Sequence, residues 1–223
     1  AQFKLEKRFS RGYTLLSSYT TSEYKEKVSF LNDQDTEFEE RFNGADRHHR
    51  LVLSGIWELP FGKSRRWGSG WNSALDGVLG GWQVQGIGQL QTGGPLNFDN
   101  NYLFRGDRST VALGEGQRSI DRWFDTTGFE KTTARQLGSN YRTAPRQFPN
   151  VRAQGLNLWD VSVIKAVSIT ESVRLQIRGE FLNAFNHPQF NDPDRTPTSS
   201  NFGKSTSQNN LPRNVQIGLK LLF

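Results

Sequence analysis

Apolar residues recur at every second position in about seven separated stretches of this chain, which is the period of a strand with one greasy and one polar face. The pattern is plainest at the end, where Val215, Ile217, Leu219, Leu221 and Phe223 alternate with Asn214, Gln216, Gly218 and Lys220. Gln2 to Phe9 sets Phe3, Leu5 and Phe9 against Lys4, Glu6 and Arg8, and Ser10-Arg11-Gly12 supplies a short turn. Tyr13 to Tyr24 continues with Tyr13, Leu15, Ser17 and Tyr19 on one face, so the two read as a hairpin. A third strand is predicted from about His48 to Pro60, with Leu51, Leu53, Gly55, Trp57 and Leu59 facing outward, and one helical turn over 74–79.

The fourth strand, Trp82 to Leu96, places Gln83, Gln85, Gln89 and Gln91 on one side and Trp82, Val84, Gly86, Gly88 and Leu90 on the other. The fifth runs from Leu156 to Ile169. The sixth, Val173 to about Phe185, sets Arg174, Gln176, Arg178 and Glu180 against Val173, Leu175, Ile177, Gly179 and Phe181. A glutamine row is poor core but good lining for a wet interior, and Arg and Glu can pair across neighbouring strands. We therefore predict Gln83, Gln85, Gln89, Gln91, Arg174, Gln176, Arg178 and Glu180 as lumen-lining residues of an antiparallel, up-and-down transmembrane β-barrel, present in part as an open curved sheet.

Connections support the same topology. Residues 10–12 and 170–172 are short turns, 60–79 is intermediate, and 25–46, 97–154 and 186–210 are long and polar. With the carboxyl end in the periplasm, every long loop falls outside, as in bacterial barrels. A strand ending on Phe223 also suits the assembly signal of such proteins, for which Gln216, Gly218, Leu221 and Phe223 are the candidates. A soluble sheet with a half-buried last strand is the competing reading of that segment.

Composition narrows the choice. No stretch approaches the roughly 18 consecutive apolar residues of a membrane helix, and low hydropathy is compatible with strands that carry one apolar residue in two. The absence of Cys and Met excludes disulfides, thiolate catalysis and cysteine metal sites, and Ala1-Gln2-Phe3 starts directly in a strand pattern without signal-peptide character. Residues 1–223 are accordingly expected to be the C-terminal part of a barrel domain that begins inside the fold. The net charge of +6 is spread over strands and loops, which argues against nucleic acid.

Chemical motifs are sparse. Adjacent His48 and His49 point to opposite faces of a strand, and with His187 they form no metal-ligand pattern. Asn191-Asp192-Pro193-Asp194 and Asp99-Asn100-Asn101 lack the spacing of a calcium loop. Arg105-Gly106-Asp107 is ordinary loop chemistry, and no Ser, His and Asp arrangement orients a base on a nucleophile. No catalytic, cofactor or metal residue is assigned, and an enzyme is not expected. Trp57, Trp67, Trp82 and Trp159 suit the aromatic girdles of a membrane interface.

A family resemblance adds to this. The stretches Asp46 to Gly55, Glu58 to Gly62, Gly81 to Gly86, Gln91 to Leu96, Trp123-Phe124, Asp160 to Lys165, Leu175 to Pro188 and Pro212 to Lys220 resemble the C-terminal barrel region of TonB-dependent outer-membrane receptors, closest to the Oar-like subgroup. That resemblance implies a barrel of about 22 strands around an N-terminal plug, energised uptake of an unknown solute, and as partners outer-membrane lipid, the barrel assembly machinery and, through a missing N-terminal part, the TonB energy-coupling complex. Substrate contacts would fall on the long loops. Two alternatives stay open: a small porin-like or structural barrel without energy coupling, and a soluble β-sandwich binding or adhesion module.

Overall fold

The computed structural model describes all residues except 64, 100, 101, 115, 137–140, 143 and 171. Its strands are β1 (Gln2–Ser10), β2 (Tyr13–Thr21), β3 (Lys25–Lys27), β4 (Glu40–Phe42), β5 (His49–Glu58), β6 (Trp82–Gln91), β7 (Leu156–Ser168), β8 (Arg174–Leu182) and β9 (Asn214–Leu222), with one helix, α1 (Ser73–Leu79). Seven of them form a single antiparallel sheet in the order β1-β2-β5-β6-β7-β8-β9, and β3 with β4 makes a separate small ribbon. The sheet is not closed: β1 and β9 are its two edges.

Register keeps the two faces chemically distinct across all seven strands. Val84 pairs with Trp57 and Val163, and Ile217 with Gly179, so one face is apolar over most of its area, while Ile56, Ile87, Leu158 and Ile164 are interspersed among the polar residues of the other. On the opposite face Gln85 pairs with Ser162, which pairs with Glu180, which pairs with Gln216. A one-residue slip in any strand would exchange the faces. No second layer covers the apolar face among the described residues: Ile217 is 81% and Leu219 71% exposed, as are Phe3 and Leu5 on the far edge. A β-sandwich would bury this face, and this sheet leaves it open among the described residues.

The expected strand ends shift where turn chemistry intervenes. The fourth predicted strand stops at Gln91 instead of Leu96, because a Cβ on Gly93 would lie 1.9 Å from the Ala153 carbonyl oxygen and the chain there packs backbone to backbone. The second ends at Thr21 rather than Tyr24. The sixth ends at Leu182 rather than Phe185, since Asn183 and Asn186 adopt φ of 50° and 55°, a conformation Asn tolerates in turns. The predicted turn at 170–172 is closed by Ile169 N–H donating to the Val173 carbonyl at 2.8 Å, although Glu171 itself lies outside the described residues.

The largest correction concerns 97–154, expected as a polar loop. It folds around an aromatic core in which Leu96, Phe98, Tyr102, Val111, Trp123, Phe124, Phe129, Phe148 and Val151 are buried, together with Phe202 from the 183–213 connection. Phe98 packs edge-on against Phe124 and Phe148 at 5.1 Å, and Phe129 against Phe202 at the same distance. Burial of this many rings, each worth a few kcal/mol, orders a segment that has no regular period. The protein's only extended buried core among the described residues therefore sits beyond the strand ends, not against the sheet.

Candidate functional site

The polar face of the sheet and the loop assembly above it form the site. One hollow is lined by Glu6, Thr14, Ser54, Gln85, Asp160 and Glu180, drawn from β1, β2, β5, β6, β7 and β8 in turn, so the polar face is concave. Charge divides sharply between the faces. Lys4, Glu6, Arg50, Glu58, Asp160, Arg174, Arg178, Glu180 and Lys220 all fall on the polar side by register. The apolar side carries only Lys7 and Lys165 as strand cations, and both lie at the end where the short turns are. Lys7 Nζ sits 3.8 Å over the Tyr13 ring, while Lys165 donates to the Gly80 carbonyl and lies under Trp82. Lys7 is placed to reach the interface along its apolar stem, whereas Lys165 is buried and satisfied by that carbonyl.

The eight predicted wall residues share the polar face: Gln83 pairs through Ile164 with Arg178, and Gln85 through Ser162 with Glu180, while Gln89 and Gln91 extend the row toward the long loops. Gln85 Nε2 donates to Gln83 Oε1 at 3.3 Å and Arg178 to Glu180 at 3.2 Å, both along one strand. Of the four assembly-signal residues, Gln216 and Gly218 occupy the polar face, Leu221 the apolar face, and Phe223 is 98% exposed beyond the edge strand.

Aromatic residues mark both borders of the apolar face. Tyr13 pairs with Trp57, and Trp82 with Lys165, at the turn end. At the loop end Tyr19 stacks between Phe3 and His49, and Tyr19 Oη meets His49 Nδ1 at 2.9 Å. The eight steps from His49 to Trp57 span about 27 Å along the strand at a rise of ~3.4 Å each. Trp159 stands four residues into β7, farther from the end than a girdle position, with its indole over Gly88, where a Cβ would come within 2.4 Å of the ring. Trp67 lies off the sheet, 5.3 Å from the Phe61 ring.

The three long connections interlock. Residues 22–48 dock on 92–155 through polar groups: Phe42 and Gln147 exchange hydrogen bonds at 2.9 and 2.7 Å, and Arg146 N–H donates to Glu39 Oε1 at 2.8 Å. The most buried of these groups is Asp46, whose carboxylate accepts from Tyr24 N–H at 2.7 Å and from Arg152 at 2.8 Å, with His48 Nε2 at 3.3 Å. Burial pushes its pKa upward, but these donors outweigh burial and hold it below the usual carboxylate value. Residues 183–213 instead join through Phe202 and through Trp123 N–H to Gly203 O at 2.8 Å. Arg142 is buried without a carboxylate, satisfied by the Phe98, Asp99 and Ala144 carbonyls and lying 4.9 Å from the Tyr102 ring. Sequence reasoning missed these clamps, because neither Asp46 nor Arg142 sits in a motif that announces its partner.

Of the dismissed motifs, Asp107 caps a short helical turn, accepting from Ser109 N–H at 2.8 Å, while His48, just before β5, packs edge-on to Phe42 and His49 stacks on Tyr19. Asn100 and Asn101 lie outside the described residues.

A sheet with one hydrocarbon-compatible face, one charged concave face, aromatic borders and large loops at one end defines a transmembrane barrel wall. Residues 1–216 match the family model described as the outer membrane beta barrel domain, and the chain belongs to that family. It is an outer-membrane barrel protein, located in the bacterial outer membrane. Comparison with curated proteins and with solved structures gave no match.

Proposed function

We propose that the chain forms part of the wall and the outer cap of a TonB-dependent, Oar-like receptor that imports a solute with energy supplied from the inner membrane. The observation that carries this reading is the concave charged face opening beneath a folded cap, with β1 and β9 left as free edges. Edges cannot stay unpaired in hydrocarbon. Because seven antiparallel strands alternate in direction, β1 and β9 run the same way, so the sheet cannot close antiparallel on itself. An odd number of further strands is needed, which gives the even total of single-chain bacterial barrels.

In this reading Gln83, Gln85, Gln89, Gln91, Arg174, Gln176, Arg178 and Glu180 face the interior, and the cap loops meet the solute first. The barrel assembly machinery reads Gln216, Gly218, Leu221 and Phe223, and the role of the chain is binding and passage, not bond chemistry. Planar-bilayer recording of the protein purified from outer membranes tests the proposal. A plugged receptor shows no steady conductance, whereas a stable open channel supports the porin-like alternative and overturns this one.

A further inference from the structure

The apolar face carries a groove whose floor is Gly55, Gly86 and Gly88, walled by Leu15 and Trp57 on one side and by Trp159 on the other. Two of the three glycines are explained by the protein itself. A Cβ on Gly55 would lie 2.9 Å from the Thr14 carbonyl oxygen, and one on Gly88 would enter the Trp159 ring. Gly86 is different: a Cβ there would meet nothing closer than the Asp160 oxygen at 3.6 Å, an ordinary contact, and its φ is not left-handed. Glycine weakens a strand interior, so the open space at Gly86 costs stability that no neighbour requires.

The groove lies on the face that the outer membrane covers, so its occupant comes from the bilayer. An unfilled groove in hydrocarbon forfeits the dispersion contacts of its lining. At its loop end Phe185 lines the groove, and the exposed Arg213 donates to the Ala184 carbonyl at 3.4 Å, one residue away. The His187 ring lies 6.1 Å from Phe185. A cation at headgroup depth above an apolar slot is complementary to an acylated, phosphate-bearing lipid.

We infer that this groove is a specific site for one acyl chain of an anionic phosphate-bearing lipid, its headgroup held by Arg213. The site rests on the membrane-barrel fold and not on the proposed transport, so its failure would leave that proposal standing.

The test counts lipid retained by the protein purified from outer membranes in mild detergent and then supplied with phosphatidylglycerol, by native mass spectrometry. Wild type retains phosphatidylglycerol in preference to phosphatidylcholine. Gly86→Leu fills the slot and lowers retention about tenfold, a difference of about 1.4 kcal/mol. Gly179→Leu, on the same face and equally free of close contacts, leaves retention unchanged. Arg213→Ala removes the preference for the anionic headgroup. Heat-modifiable migration verifies that each variant is assembled, and Gly86→Val replaces the Leu variant if that one does not assemble. Equal retention by wild type and the Gly86 variant, or no retained lipid in wild type, overturns the site.

Discussion

Arg152 donates to the Asp46 carboxylate across 2.8 Å, joining two residues 106 positions apart and locking the first long loop onto the second. Asp46 is fully buried while Arg152 retains slight exposure, so the pair acts as an anchor inside the cap rather than as a surface ion pair. Removing one member leaves the other charge buried without its partner.

Asp46→Ala is therefore expected to undock residues 22–48 at a cost of about 3 kcal/mol, without unfolding the sheet. Limited proteolysis should show faster cleavage within 22–48 and unchanged heat-modifiable migration. Cleavage at the wild-type rate would contradict the anchor.

The same carboxylate sets an acid limit. Its folded pKa lies below the ordinary value of 3.8, so its contribution is fully present above that pH and is lost as the pH falls below it toward the lowered value. Proteolysis with an acid-active protease should find the first loop protected at pH 5 and progressively released only as the pH falls below 3.8. Asp46→Asn should lose most of that difference, and a variant with the full wild-type pH dependence would refute the assignment.

Tyr102 should resist ionisation. Its hydroxyl donates to the Pro145 carbonyl at 2.6 Å, and burial pushes its pKa up to about 12 despite nearby Arg142. A raised value means stability present below the ordinary pKa of 10 and lost as pH climbs toward 12. Spectrophotometric titration of wild type against Tyr102→Phe should assign the last-ionising phenol to this residue.

The two faces of β9 should respond oppositely to charge. Ile217→Arg places a cation on the apolar face and is expected to cost ~2–4 kcal/mol near the bilayer middle, while Asn214→Arg, on the polar face of the same strand and outside the assembly-signal residues, costs little. Yields of membrane-assembled, heat-modifiable protein compare the two. Equal loss would mean the faces are misassigned.

Filling the space under Trp159 should be damaging. Gly88→Val would force a side chain into the indole, and overpacking of this kind costs about 1–3 kcal/mol. The denaturant midpoint of the assembled protein should fall, and Gly88→Val combined with Trp159→Ala should recover part of the loss.

The sheet was legible because alternation is a local signal: Gln83, Gln85 and Gln89 announce one face within a single strand, and register then carries it to Arg178 and Glu180. Helix α1 was legible too, its Asn72 cap accepting from Leu75 N–H at 2.8 Å. The cap was not. Phe98, Tyr102, Phe124, Phe129, Phe148 and Phe202 follow no period, and their convergence depends on contacts between residues far apart in sequence. The β3 and β4 ribbon was hidden for a related reason, since Arg41 and Glu26 meet across 2.9 Å only after the intervening charged segment folds back. The groove over Gly86 was invisible as well, because a glycine's purpose depends on what its missing side chain would have touched.

The matched direction of β1 and β9 has a practical edge for anyone rebuilding this wall. Splicing two copies tail to head would lay two downward ribbons side by side at each seam, and adding a hairpin would keep the mismatch, since hairpins come in twos. One, three or any other odd complement of ribbons repairs it, so a designer can sort workable scaffolds from hopeless ones by parity before synthesising a gene.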